Sequence, residues 1–285
     1  MELEKAEKII AVGALGGSGT RAVAQILIES GVYLGDNLNE SNDNLVFTTL
    51  FKNVEWYIGA SEADVMRRML ILAKYMRRER FSIADFREFV RATRTNPFLD
   101  GGFRLYFRLL RKLLPSPKRA RPSVWGWKEP NSQMFVDHIK TFFPKIRYIH
   151  VIRNGLDMAF SKNLQQLKNW GYLYDIHVDG KETETELAVK QLEFWIKSSE
   201  KVIIEGKKLF NENFYLLNHT KFCTNPVVEV EELLEFLNLD VPKNIRESLF
   251  KIPVVPASFE RYKNYDINTF SEDQIRLVKS FGFDI

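Results

Sequence analysis

The spacing of apolar runs and glycines in this 285-residue chain predicts a three-layer α/β fold around a central parallel sheet, with a helical insertion at about 55–120. Three observations carry that expectation. A short apolar run, Ile9-Ile10-Ala11-Val12, ends in a glycine-rich turn and passes into a helical stretch. Apolar runs of strand length recur at 124–127, 147–152 and 214–217, with helical patterns between and after them. Strands alternating with helices imply parallel pairing through crossover connections. The third observation is a long stretch, 61–114, of helical pattern dense in Arg and Lys, lying between the first strand and the second. With 45% hydrophobic residues the chain can bury a full core, and 1–285 reads as one domain carrying that insertion.

Taken in order, 9–14 reads as the first strand and 20–31 as its helix. Ser61-Glu62-Ala63-Asp64 is a capped helix start, and Asn96-Pro97 and Gly101-Gly102 mark breaks in the insertion. The stretch 115–122, with three prolines, is a surface connector. A helix is expected at 132–142 between the second and third strands, then one at 155–167 and one at 183–207. Asn225-Pro226 opens a helix that ends near Asn238.

A net charge of +4 suits an anionic small ligand and is too weak to argue for nucleic acid. Cys223 is the single cysteine, which excludes an intramolecular disulfide framework and a cysteine-based metal site. The start, Met1-Glu2-Leu3-Glu4-Lys5, is charged and the apolar run after it is short, so no secretory or membrane-spanning segment is expected and the protein reads as cytoplasmic. Arg67, Arg68, Arg77, Arg78, Arg80, Arg87, Arg91 and Arg94 form either a patch for an acidic substrate or the solvated face of amphipathic helices. The aromatics Phe81, Phe86, Phe89, Phe98, Phe103, Tyr106 and Phe107 either line a pocket or pack helix on sheet.

The first chemical signal is Gly13-Ala14-Leu15-Gly16-Gly17-Ser18-Gly19-Thr20-Arg21. Its glycines can take left-handed angles and let backbone amides approach a ligand, and the helix that follows offers unpaired N–H groups to an anion. The stretch is therefore a P-loop-like phosphate cradle. A Walker loop would place Lys and Ser/Thr after its last glycine, for the phosphates and Mg²⁺. Here those places hold Thr20 and Arg21, so no metal-dependent nucleotide hydrolysis is expected. Arg21 stands where the helix dipole disfavours a cation unless an anion is bound there. The second signal is Arg153 at a strand's end with Ser161 eight residues on, a fork and a hydroxyl suited to phosphate. The plain alternative is an Arg capping a neighbouring helix and a Ser satisfied by its own.

Together these stretches resemble the sulfotransferase family, whose donor is 3′-phosphoadenosine 5′-phosphosulfate (PAPS). Gly16-Gly17-Ser18-Gly19-Thr20-Arg21 is similar to its 5′-phosphosulfate loop, and Arg153 and Ser161 fall on its 3′-phosphate motif. Trp127-Lys128-Glu129-Pro130 looks like the Lys-Asp/Glu-Pro element of the tyrosylprotein and related branches, which the chain resembles more than the cytosolic small-molecule branch. The segment from Ser258 to Lys263, with Arg261, looks like the basic segment closing over the 3′-phosphate, and 216–239 also follows the family pattern. The resemblance implies PAPS held by Gly16, Gly17, Ser18, Gly19, Thr20, Arg21, Arg153, Ser161 and Arg261, without a metal, and a small-molecule or carbohydrate acceptor. It departs at Gly17, where the family carries its catalytic Lys or Arg, so Lys128 or Arg21 must supply the charge. For the base, the resemblance points to a carboxylate after the first helix, Glu40 or Asp43, though that loop also reads as turns with Asp43 starting a helix. His150 reads as core, and His138 as a helix residue. Two other readings stay open: a P-loop nucleotide or metabolite kinase, and a non-catalytic relative that binds an adenine nucleotide.

Overall fold

A computed structural model of the chain describes residues 7–96 and 120–285. Among these residues four strands, β1 (Lys8–Ala14), β2 (Val124–Lys128), β3 (Arg147–Ile152) and β4 (Phe214–Asn218), form a parallel sheet in the order β2-β1-β3-β4. The register pairs Val12 with Lys128, Ala14 with Val151 and Ile152 with Asn218. All four carboxyl ends therefore lie along one edge, where ligands of such sheets bind.

Alternation along β1 explains the layers. Ile10, Val12 and Ala14 face one side and Ala11 the other, as a period of two requires. On the first side lie α1 (Thr20–Glu29), which buries Val23, Ala24, Ile26 and Leu27, and two later helices. Each fully buried Val, Ile or Leu there contributes about 1.5–3 kcal/mol. The opposite side is covered by α2 (Leu45–Phe51), α3 (Val54–Gly59), α4 (Glu62–Met76), α5 (Ile83–Thr95) and α6 (Val136–Phe142), over an aromatic floor of Trp125, Trp127 and Tyr148. Three layers result, as the sequence predicts. The helical section is present as α3–α5; Gly101-Gly102, most of the 115–122 connector, and Phe98, Phe103, Tyr106 and Phe107 lie outside the described residues.

After β3 come α7 (Gly155–Ala159) and α8 (Gln165–Trp170), then the long α9 (Glu184–Phe210). The single helix expected at 155–167 is thus broken. Phe160 stacks on Tyr265 at 3.9 Å between ring centroids. The Ser161 and Asn163 side chains accept from the N–H groups of Asn163 and Gln165 (3.2 and 3.1 Å), local bonds that compete with helix continuation. Beyond β4 follow α10 (His219–Thr224), α11 (Pro226–Leu237), α12 (Lys243–Leu249) and α13 (Glu272–Ser280). The α1 side of the sheet takes Val230, Leu233, Leu234 and Leu237 of α11 and Leu249 of α12. Among the described residues no helix is long and apolar enough to cross a membrane.

The arginines of α4 are not a uniform solvated face. Arg68 is buried, bonded to Glu88 at 2.9 Å and stacked 3.7 Å over Trp56, while Arg77 pairs with Glu7 at 2.7 Å.

Candidate functional site

The glycine loop leaves β1 at the carboxyl edge and turns into α1 through two left-handed residues, Gly17 (φ 92°) and Gly19 (φ 85°). Gly19 is doubly constrained, because a Cβ there would lie 2.0 Å from Nε2 of His219, the first residue of α10. His219 is buried, and burial with the nearby Arg153 charge brings its pKa down to about 4, so the ring behind the loop is neutral at physiological pH.

In front of the loop lies a cleft of about 370 Å³, lined by Gly16, Gly17, Gly19, Thr20 and Arg21 on the loop side. Its other walls are Ser41 and Asp43, Lys52, the Lys128–Asn131 turn, and Asn163, Gln165 and Gln166. Lys128 closes β2 with only 1% of its surface exposed; its ammonium donates to the Asp43 carboxylate and the Ser41 carbonyl. Burial draws its pKa below the ordinary lysine value, against the pull of Asp43 and Glu129. Arg21 is exposed and donates to Ser41 Oγ at 3.1 Å.

Glu129 caps the 3₁₀ turn Pro130–Phe135, with Pro in the first position, where a missing N–H costs nothing. Its Oε2 accepts from the Asn131 N–H (2.6 Å) and its Oε1 from Asn131 Nδ2 (2.9 Å). Asn131 Oδ1 in turn accepts from Trp170 Nε1 (2.8 Å) and Gln166 Nε2 (3.3 Å), and Gln166 Oε1 accepts from the Gly16 N–H (2.9 Å). One hydrogen-bonded chain thus runs from the loop to Glu129. Burial lifts the Glu129 carboxyl to about 7, with Lys52 the main opposing influence.

Arg153 leaves β3 beside the loop. It donates to the Gly17 carbonyl (3.3 Å) and to the carbonyl and hydroxyl of Ser258 (both 2.8 Å), and pairs with Asp157 at 3.5 Å. Asp157 accepts from the Glu260 N–H at 3.1 Å, so the carboxyl-terminal segment is fastened to α7. Arg261 donates to the Phe160 carbonyl (3.2 Å), next to Ser161, and to the Ser258 carbonyl (3.5 Å). The α7 cap is Asn154, whose Oδ1 accepts from the Leu156 N–H at 2.9 Å.

The structure therefore brings Gly16, Gly17, Gly19, Thr20, Arg21, Asp43 and Lys128 together in one cleft. Arg153 and Arg261 meet at the carboxyl-terminal segment instead, and Ser161 sits in the turn after α7, next to the Phe160 carbonyl that Arg261 holds. Ser18 is buried within the loop's turn, its N–H donating to the Leu15 carbonyl at 3.2 Å. Glu40 is exposed and lies outside the residues lining the cleft, and the α2 cap is Asn44, not Asp43. His150 is buried in the core, and burial brings it down to about 3. Sequence reasoning missed Lys52, Gln165 and Gln166 and gave Glu129 no role; for Glu129 the signal was present, an acid directly before Pro at a strand's end.

The arrangement can bind an anion at backbone amides and a helix N-terminus, neutralise it with cations, and offer a carboxylate to a proton. No curated protein sequence matches this chain. The fold is that of the sulfotransferase domain of the olefin synthase of Synechococcus PCC 7002: 16% identity over 99% of this chain and 97% of that one, TM-score 0.52. It also matches the sulfotransferase domain from the curacin biosynthetic pathway, with 12% identity over 98% and 99% of the two chains and a TM-score of 0.50. Residues 10–243 match the model of the family described as Sulfotransferase family. That match spans most of the sequence, and the chain belongs to the sulfotransferase family.

Proposed function

We propose that this chain transfers a sulfuryl group from PAPS to a hydroxyl or amine acceptor in the cleft before the glycine loop. The observation that carries the reading is the meeting of an uncharged glycine loop at a helix N-terminus with Arg21, Lys52, Lys128, Asp43 and Glu129 in that one cleft. The residues fit the donor. A phosphosulfate needs N–H donors and positive charge, which the loop's amides with Thr20, Arg21 and Lys128 would provide. Arg153, Ser161 and Arg261, around the 258–261 segment, would hold the 3′-phosphate. The donor supplies an activated sulfuryl group; the protein's part is positioning and charge stabilisation.

Lys128 and Arg21 neutralise the departing phosphate. Asp43 is engaged by Lys128 and positions it. Glu129 lines the same cleft and takes the acceptor's proton, its proton affinity raised by burial.

The test is calorimetric binding of adenosine 3′,5′-bisphosphate, with 5′-AMP and ATP–Mg²⁺ as comparators, followed by transfer of labelled sulfate from PAPS to a panel of sugars, phenols and amines. Bisphosphate binding clearly tighter than AMP, with transfer to an acceptor, supports the reading. Tighter binding of ATP–Mg²⁺, or no binding at all, overturns it.

A further inference from the structure

We propose that Lys52 is a catalytic residue of this reaction, its ammonium meeting the oxygen that bridges sulfur and the donor's 5′-phosphate as that bond breaks. The inference rests on the sulfuryl-transfer reading above. In the step, a bond forms between sulfur and the acceptor's oxygen or nitrogen, and the bond from sulfur to the bridging oxygen breaks. The electron pair stays on the phosphate, and the acceptor's proton passes to Glu129. By analogy with phosphoryl transfer the transition state is loose, so negative charge gathers on the leaving oxygen and a cation there acts where the barrier is set.

The loop cannot supply that cation, since residues 13–20 contain no charged side chain. Nor can a side chain be added cheaply at Gly17, whose φ of 92° is unfavourable to any residue with a Cβ. The other cations lining the cleft are both engaged by the 41–43 segment: Lys128 is tied to Asp43 and the Ser41 carbonyl, and Arg21 to the Ser41 hydroxyl. Lys52 is held elsewhere in the cleft. Its Nζ donates to Gln165 Oε1 at 3.1 Å, next to Gln166, which holds the Gly16 N–H. Its charge also acts on Glu129. Lys52 thus lines the same cleft as the loop's entry, at Gly16, and the proposed base.

Its footing is rigid. Residues 46–51 of α2 are all buried, and the Lys52 N–H donates to the Thr48 carbonyl at 3.0 Å, closing the helix. A cation at that end is favoured by the helix dipole. The side chain ends in an ammonium with three protons on a flexible stem, so it can re-aim from Gln165 to a ligand.

The experiment compares Lys52→Gln, Lys52→Met and Lys52→Arg with the wild type in steady-state transfer and in bisphosphate calorimetry. Both neutral variants should lower kcat about 100-fold or more while raising the bisphosphate Kd less than about 10-fold. Lys52→Arg should keep at least about a tenth of kcat. The proposal is overturned if the neutral variants keep kcat, if Lys52→Arg falls as far as they do, or if affinity drops in step with kcat. A wild type without transfer would defeat the sulfuryl-transfer reading itself, whereas an active wild type with an unimpaired Lys52→Gln defeats Lys52 alone.

Discussion

Replacing Glu129 by Gln should remove a pH dependence from stability and from turnover together. Glu129 is buried in the wall of the cleft, only 2% exposed, and burial lifts its carboxyl from 4.5 to about 7. Between those two values the folded chain holds a proton that the unfolded chain has released, so stability must fall as pH rises through this window. The gap from 4.5 to about 7 corresponds to about 3 kcal/mol, at 1.36 kcal/mol per pH unit. The assay is urea unfolding of both proteins at pH 4.5 and 8. Other groups titrate in both, so the difference of the two differences isolates residue 129. The wild type should lose about 3 kcal/mol more than Glu129→Gln over that range. In turnover, wild-type kcat should rise with pH and level off above about 7, and the variant should lose about 10²–10⁴-fold. If wild type and variant show the same pH dependence of stability, the carboxyl is not titrating where burial places it, and the proton-acceptor role falls with it.

Gly19→Ala should cost well over the 1–2 kcal/mol of a left-handed alanine, because its Cβ would lie 2.0 Å from the His219 ring. Gly31→Ala, at φ 84° with nothing within 4 Å, should cost about the backbone term alone, and chemical denaturation of the pair separates strain from collision. Arg68→Met should destabilise by about 3 kcal/mol, since buried Glu88 loses its buried partner and keeps the exposed Arg91. The double variant Arg68→Met/Glu88→Leu should recover most of that loss in the same assay. Lys128→Ala should lower kcat far more than it weakens bisphosphate binding, by about 10²–10³-fold against less than about 10-fold; equal losses would remove Lys128 from the transition state.

The first strand, its loop and α1 were legible because they depend on neighbours in sequence. An apolar run, glycines at the left-handed positions 17 and 19, and a helix start are all local. The same holds for β3 with Arg153, and for Asn225-Pro226 opening α11. What stayed hidden depends on distant partners. Lys52 and Gln165 meet across the fold, and nothing near either in sequence announces it. At the break after α7 the local bonds of Ser161 and Asn163 are joined by a distant partner, Tyr265, on which Phe160 stacks. Arg68 sits in a helix whose pattern suggests a wet basic face, and distant partners make its burial possible: Glu88 on α5, the Leu50 carbonyl and the Trp56 ring.

The strand order also bears on how the chain folds. Both neighbours of β1 arrive late: Lys8 pairs with Val124, and Ile10 with Arg147. While a ribosome is delivering the first helices, β1 and the glycine loop are already exposed with no sheet to join. The middle of the sheet must then close loops longer than most small domains, a topology that folds slowly and leaves an apolar strand unpaired meanwhile. The helices of 45–95 touch one another locally but bury their apolar faces on Trp125, Trp127 and Tyr148, so their packing, like the cleft before the glycine loop, is completed only when the later strands arrive.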